Sequence, residues 1–148
     1  MQVHNFEYTG EEAFRGELEV RGIADGENIL IQCFVGRVDR QAINDLQRVV
    51  RTNLPQATLV GATSAGGIID GRFSPQAPVV SISVFDKATL SSSFVSERDE
   101  AKMAARVAKE TVRNDSKLMI LFSDGLTTNG DVAVSAHQRP DGRRRPGR

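Results

Sequence analysis

The chain has 148 residues, enough for one domain with a single core, and its formal net charge at pH 7 is zero. Hydrophobic residues make up 39% and charged residues 26%, which are values typical of globular proteins. No run approaches the ~18 consecutive apolar residues of a membrane span, and the polar amino terminus lacks a secretory pattern. We therefore expect a cytoplasmic protein.

The charges are unevenly distributed along the chain. Residues 131–148 hold five Arg and two Asp, which leaves residues 1–130 mildly acidic. Because phosphate contacts need Lys and Arg gathered on one face, we do not expect nucleic acid as a partner. The single cysteine, Cys33, excludes an internal disulfide and lies in an apolar run, so it is predicted to be a small core residue.

Apolar periodicity and helix-capping residues divide the chain into alternating strands and helices. The predicted elements are a helix from Glu11 to Val20 capped by Thr9, a strand from Ile29 to Val35, a helix over residues 40–53 capped by Asp39, a strand from Thr58 to Val60, a hairpin from Ile68 to Phe73 turning at Asp70 and Gly71, strands from Val79 to Phe85 and from Thr89 to Val95, a helix beginning at Ser96 and ending near Asn114, and a strand from Lys117 to Phe122.

This order of elements predicts an α/β domain with a mixed sheet and flanking helices over residues 29–130. A polar segment, residues 1–28, precedes it. The strand–helix–strand unit after residue 29 predicts a right-handed parallel crossover. Residues 131–148 are rich in Arg, Pro and Gly without any period, so we expect a disordered basic tail. Two origins stay open for it, a frameshift in GC-rich codons or a native basic extension.

Two polar loops follow predicted strands. The first, from Gly61 to Gly71, carries little apolar area, and its glycines can leave main-chain N–H groups accessible. The second runs from Ser123 to Gly130. Because ligands in open α/β sheets bind at the carboxyl ends of the strands, we predict that both loops open on one edge. The candidate ligand-binding residues are Thr63, Ser64, Gly66 and Gly67 from the first loop, and Ser123, Asp124, Thr127, Thr128 and Asn129 from the second.

Main-chain amides and small hydroxyls at these positions suit a small polar ligand. They could bind the carboxylate of an amino acid or a similar metabolite, while Asp124 could bind its ammonium group. A purely structural role for the first loop stays open. Asp70 and Asp124 each precede a glycine, which favours turn residues over a two-carboxylate catalytic or metal site.

Familiar catalytic and cofactor motifs are incomplete in the first loop. The spacing from Gly61 to Gly66 is not followed by the lysine of a P-loop, and it lacks the dinucleotide fingerprint. Ser64 has Ala62 two positions before it, where a nucleophile elbow needs glycine. No cluster of His, Cys and carboxylates has zinc-ligand spacing. We therefore expect no cofactor, no metal and no catalytic residues.

The motifs from Leu59 to Ile68 and from Leu121 to Gly130, with the strands near residues 29–34 and 79–85, resemble the amino-terminal half of a FIST domain (F-box and intracellular signal transduction). The resemblance covers about residues 29–130. It implies a bacterial sensory domain that binds small ligands such as amino acids and works with kinase, cyclase or chemoreceptor modules. It implies no catalytic residues.

Two departures from the family pattern accompany this resemblance. Family members often carry an acidic residue where Gly67 stands, and they continue past Asn129 and Gly130 into a helix and a second half. We therefore expect an incomplete half of a larger two-part domain.

The sequence thus predicts a signal-transduction domain that senses a small polar ligand. Two alternatives stay open. One is a metabolic enzyme with Asp124 as its acid or base, which would lose turnover in Asp124→Asn. The other is a protein–protein interaction scaffold, which would associate with a partner but have no affinity for small molecules.

Overall fold

The computed structural model describes residues 1–36, 39–97 and 99–124, in two compact units, Met1–Ser91 and Ser92–Arg148. The elements of the first unit are β1 (Gln2–Glu7), α1 (Glu11–Val20), β2 (Ile29–Val35), α2 (Arg40–Asn53), β3 (Thr58–Thr63), β4 (Gly67–Ile69), β5 (Arg72–Ser74) and β6 (Val79–Val84). The second unit contributes α3 (Glu100–Thr111). The described helices are all too short or too polar to cross a membrane.

The first unit is built on a four-stranded mixed sheet in the order β1-β6-β2-β3. β2 and β3 are parallel, as the crossover pattern predicts, whereas β6 runs antiparallel to both β1 and β2. β4 and β5 form a separate two-stranded hairpin that turns at Asp70 and Gly71. The predicted α/β fold with a mixed sheet and flanking helices is confirmed.

The core of the first unit joins one face of the sheet to α1 and α2. Its members come from alternate positions of the strands, which point to a single face, and from the apolar stripe of each helix. The buried side chains of this cluster include Phe6, Phe14, Leu18, Ile29, Ile31, Cys33, Val35, Leu46, Val49, Val50, Leu54, Val80 and Ile82. Residues 1–28 thus contribute to the same core, and the domain boundaries given above stay a prediction.

Asp39 begins α2 as expected. Its carboxylate accepts hydrogen bonds from the N–H groups of Gln41 and Ala42 at 2.9 and 3.2 Å. The predicted cap of α1 is wrong, because Gly10 rather than Thr9 occupies the N-cap position and no side chain caps this helix. Gly10 has a φ of 140°, a conformation that side chains disfavour, and this fixes where the helix begins.

Two predicted boundaries differ from the structure in the first unit. β1 was not predicted, because Phe6 is its one buried side chain and an edge strand needs little apolar pattern. β3 extends to Thr63, three residues beyond the predicted end, so that Gly61 and Ala62 belong to the strand. This position requires glycine, because a Cβ on residue Gly61 would collide with the main-chain oxygen of Cys33.

The strand predicted from Thr89 to Val95 is wrong. No strand is assigned there, and the Phe94 side chain is 90% exposed. The reason lies in β6, which already pairs with β1 on one side and β2 on the other, so a chain returning from it finds no open edge.

The second unit also differs from its predicted elements. α3 begins after Asp99, whose carboxylate accepts a hydrogen bond from the N–H of Lys102, and not at Ser96. The segment from Lys117 to Phe122 is not a strand, and Leu118 in it is 81% exposed. A short apolar run specifies a strand only where a neighbouring strand supplies its hydrogen bonds. The predicted tail, residues 131–148, lies outside the described residues.

We predict that the central position of Ile31 makes it essential for stability. Ile31 is fully buried, so Ile31→Ala should lower the free energy of unfolding by about 2–5 kcal/mol. Ile68 is 75% exposed, so Ile68→Ala should change it by less than about 0.5 kcal/mol. Denaturant titrations followed by circular dichroism would measure both. Equal losses in the two variants would contradict this core assignment.

A second prediction concerns Cys33, which is confirmed as a buried core residue, 7% exposed. Burial raises the pKa of the Cys33 thiol to about 12. In the unfolded chain the thiol ionises near pH ~8.5, so the unfolded state loses its proton first and stability should fall as the pH rises from there toward 12. Unfolding titrations at pH 8 and 10 should show this loss in the natural chain and less of it in Cys33→Ala. A pH slope unchanged by the substitution would contradict it.

Candidate functional site

The first predicted loop lies where the parallel strands β2 and β3 end side by side. The N–H of Ser64 donates to the main-chain oxygen of Val35 at 2.9 Å, which continues the pairing one residue past β3. Gly36 follows β2 and lies close to the same point, since a Cβ on it would be 3.2 Å from Gly66 Cα and 2.6 Å from the Pro75 oxygen. The carboxyl edge of the parallel pair is therefore formed by Gly36, Ser64 to Gly66, and Pro75.

Ser64 organises this loop through its hydroxyl. The hydroxyl donates to the main-chain oxygen of Gly66 at 2.8 Å, and the N–H of Gly66 donates back to it at 3.4 Å. The first bond is of ordinary length, but the second is at the outer limit of hydrogen bonding. Two of the predicted ligand-binding residues are therefore engaged with each other in the structure.

Thr63 and Ala65 present the exposed part of the loop. Within the described part of the chain, neither the Thr63 hydroxyl nor the Ala65 N–H takes part in a hydrogen bond. The hydroxyl can donate or accept and the N–H can donate, so both can serve a polar ligand from solvent. Ala65 was not among the predicted site residues, because its side chain carries no polar atom.

The glycines of the loop have structural reasons to be glycine. Gly66 has a φ of 139°, and a Cβ on it would lie 2.6 Å from the Phe73 ring. A Cβ on Gly67 would meet the Val79 side chain, and Gly67 is buried. The structural role that the sequence left open thus applies to both glycines, and Gly67 in particular lies beneath the loop surface.

The amino end of α2 contributes little to anion binding at this edge. Helix amino termini attract anions through unpaired N–H groups. Here the Asp39 carboxylate already accepts from two of these groups, and its negative charge repels a second anion. Main-chain donors for a ligand therefore come from the loop after β3.

The hairpin of β4 and β5 forms the other border of the loop. Ile68 and Phe73 are directly paired across the hairpin, while Gly67 and Ser74, at the next pair, are buried. Alternation along each strand places Ile68 and Phe73 on the outer face, where they are 75% and 64% exposed. A two-residue turn at Asp70 and Gly71 sets the register of the hairpin, so the pairing of Ile68 with Phe73 could have been predicted from the sequence.

Asp70 is confirmed as a turn residue, with a φ of 48°. A left-handed conformation at Asp70 followed by one at Gly71 is the pattern of a tight two-residue hairpin turn. Its side chain is exposed. The structure gives Asp70 a conformational role.

The second predicted loop is described only at its start. Ser123 and Asp124 are exposed residues of the second unit. Thr127, Thr128 and Asn129 lie outside the described residues. That the two loops share one edge therefore stays a prediction.

Other surface features do not coincide with the predicted site. A shallow groove beside α1 is lined by Arg15, Leu18, Glu19, Gly22, Ile23, Ala24 and Asn53, none of which was a predicted site residue. Arg15 there donates to the Asn53 side chain at 3.1 Å. Among the described residues, no three His, Cys, Asp or Glu side chains are grouped so as to hold a metal ion.

Comparison with known protein families identifies a matching domain family. Residues 29–143 match the FIST N domain, which covers most of the chain and includes the whole of the first loop. Searches of curated proteins and of solved structures gave no match. The match agrees with the resemblance carried by the two glycine-bearing motifs. The chain therefore belongs to the FIST N domain family, a family associated with signal transduction.

Proposed function

We propose that this domain is a sensor that binds a small polar ligand, such as an amino acid, at the loop after β3. The observation that carries the proposal is the parallel end of β2 and β3, tied by the hydrogen bond from Ser64 to Val35. Open α/β sheets bind ligands outside the carboxyl ends of such strands. The family's association with signal transduction supports a sensory role over an enzymatic one.

The chemistry of the loop favours an anionic group such as a carboxylate. Thr63 and Ala65 are exposed residues, and the Thr63 hydroxyl and the Ala65 N–H are both hydrogen-bond donors. The Gly66 N–H can join them, because its contact with the Ser64 hydroxyl is long and exchanging it for a carboxylate oxygen costs little. Three neighbouring donors of this kind suit a small carboxylate.

The remaining parts of the proposal rest on the sequence. Ser123, Asp124, Thr127, Thr128 and Asn129 are proposed as further ligand-binding residues, with Asp124 as the acceptor for an ammonium group. A kinase, cyclase or chemoreceptor module is proposed as the signalling partner, and a bacterial, cytoplasmic setting is proposed for the protein. These proposals follow from the family resemblance and from the second motif.

A thermal-shift screen against the twenty amino acids tests the proposal. A ligand at 100 times its dissociation constant adds about 2.7 kcal/mol to the folded state, which should raise the melting temperature by roughly 5–11 °C. Thr63→Val removes an exposed hydroxyl at the loop, and loss of one hydrogen bond should weaken binding by about 2- to 12-fold.

Thr58→Val is the matched control, because Thr58 lies at the opposite end of β3. It should leave the affinity unchanged. A natural chain that no amino acid stabilises, or equal weakening in the two variants, would contradict the proposed site.

A further inference from the structure

An exposed apolar pair borders the candidate loop. Ile68 and Phe73 are paired across the β4–β5 hairpin and are 75% and 64% exposed, although both are large hydrophobic residues. Leaving such side chains in water has a free-energy cost, and exposed apolar patches often mark binding surfaces. The inner face of the same hairpin, with Gly67 and Ser74, is buried, so the hairpin is held in place by packing.

The Phe73 ring reaches the loop itself. A Cβ on Gly66 would lie 2.6 Å from Phe73 Cε2 and 2.7 Å from Cζ, so the ring is in direct contact with the Gly66 backbone. Gly66 also carries one of the donors proposed for the ligand carboxylate. The apolar ring of Phe73 and the polar main chain of Gly66 therefore lie side by side.

This juxtaposition has the composition of a small-molecule site. Such sites are lined mainly by apolar and aromatic side chains, with a few polar groups that fix orientation. We propose, building on the proposed function, that Phe73 and Ile68 form the side-chain subsite of the ligand, so that the domain selects amino acids with an apolar side chain. The carboxylate binds the loop donors and the side chain covers the Phe73 ring.

Selection follows from where each part of the ligand lies. Glycine and alanine can use the loop donors but reach little of the apolar pair. Leucine or phenylalanine reaches the pair and removes apolar area of both partners from water. A charged side chain at the same place would lose hydration against the apolar surface of Ile68 and Phe73.

Calorimetric titration of the natural chain with glycine, alanine, leucine and phenylalanine tests this subsite. Leucine and phenylalanine should bind about tenfold tighter than alanine, as expected for partial burial of two or three methylene equivalents. Phe73→Ala should weaken leucine binding about tenfold and change alanine binding by less than about twofold. Phe94→Ala, which removes another exposed ring, should change neither.

Phe73→Trp supplies a second readout, because the chain contains no tryptophan. Leucine should shift the emission of this single indole to shorter wavelength, and alanine should not. Circular dichroism would confirm that the variants stay folded, as expected for an exposed position.

The outcomes separate this inference from the proposed function. If glycine and alanine bind as tightly as leucine, or if Phe73→Ala weakens all ligands equally, the apolar subsite is wrong. The proposed function of the domain as an amino-acid sensor would still stand. Binding of no amino acid at all would overturn both. Self-association of the natural chain that Phe73→Ala abolishes, without ligand selectivity, would assign the pair to a protein interface and overturn the subsite.

Discussion

The parallel pairing of β2 with β3 is the constraint on which the rest of this structure depends. Its register, from Leu30 opposite Thr58 to Val35 opposite Thr63, makes the two strands end together. A parallel pair requires the chain to cross over between its strands, and α2 makes that crossing. The helix can do so because Leu46, Val49 and Val50 bury its apolar stripe in the core. The burial that stabilises α2 therefore also places the loop after β3 at the edge of the sheet.

The same close packing determines what the loop can offer a ligand. Gly61, Gly66 and Gly67 are glycine because neighbouring atoms of Cys33, Phe73 and Val79 occupy the space of a side chain. These glycines let the main chain pack closely and form a tight platform, meaning the backbone from Gly61 to Gly67. Close packing does not by itself create a binding site. What remains for a ligand is the outer surface of that platform, Thr63 and Ala65, with the Phe73 ring beside it. A platform fixed by packing loses little entropy when a ligand binds, which favours affinity from few contacts.

The sequence predicted elements whose pattern is local and missed those that depend on a distant neighbour. The run from Ile29 to Val35, the stripe of α2 with its Asp39 cap, and the hairpin turn at Asp70 and Gly71 carry their own signals, and the structure has all of them. β1 was missed because its pairing with β6 leaves little trace in its composition. The segment from Thr89 to Val95 was wrongly predicted as a strand because occupancy of both β6 edges cannot be read from its own residues.

The candidate site shows the same division. The position of the loop at a carboxyl edge followed from the strand–helix–strand order, and the pairing of β2 with β3 confirms that order. The mutual bonds of Ser64 and Gly66, and the contact of Phe73 with Gly66, depend on how the loop folds back and carry no sequence signature. Family membership adds signal transduction to this geometry, while the ligand is a proposal that draws on the chemistry of the loop and on the family resemblance.

The central claim is that the surface after β3 receives the ligand, and backbone amide chemical shifts during an amino-acid titration test it most directly. A ¹⁵N-labelled chain should show its largest ligand-dependent shifts at the amides of Thr63, Ala65 and Gly66, the residues that carry the proposed donors. Unchanged amides there, with the largest shifts instead at Leu18 and Ile23 in the groove beside α1, would contradict the account.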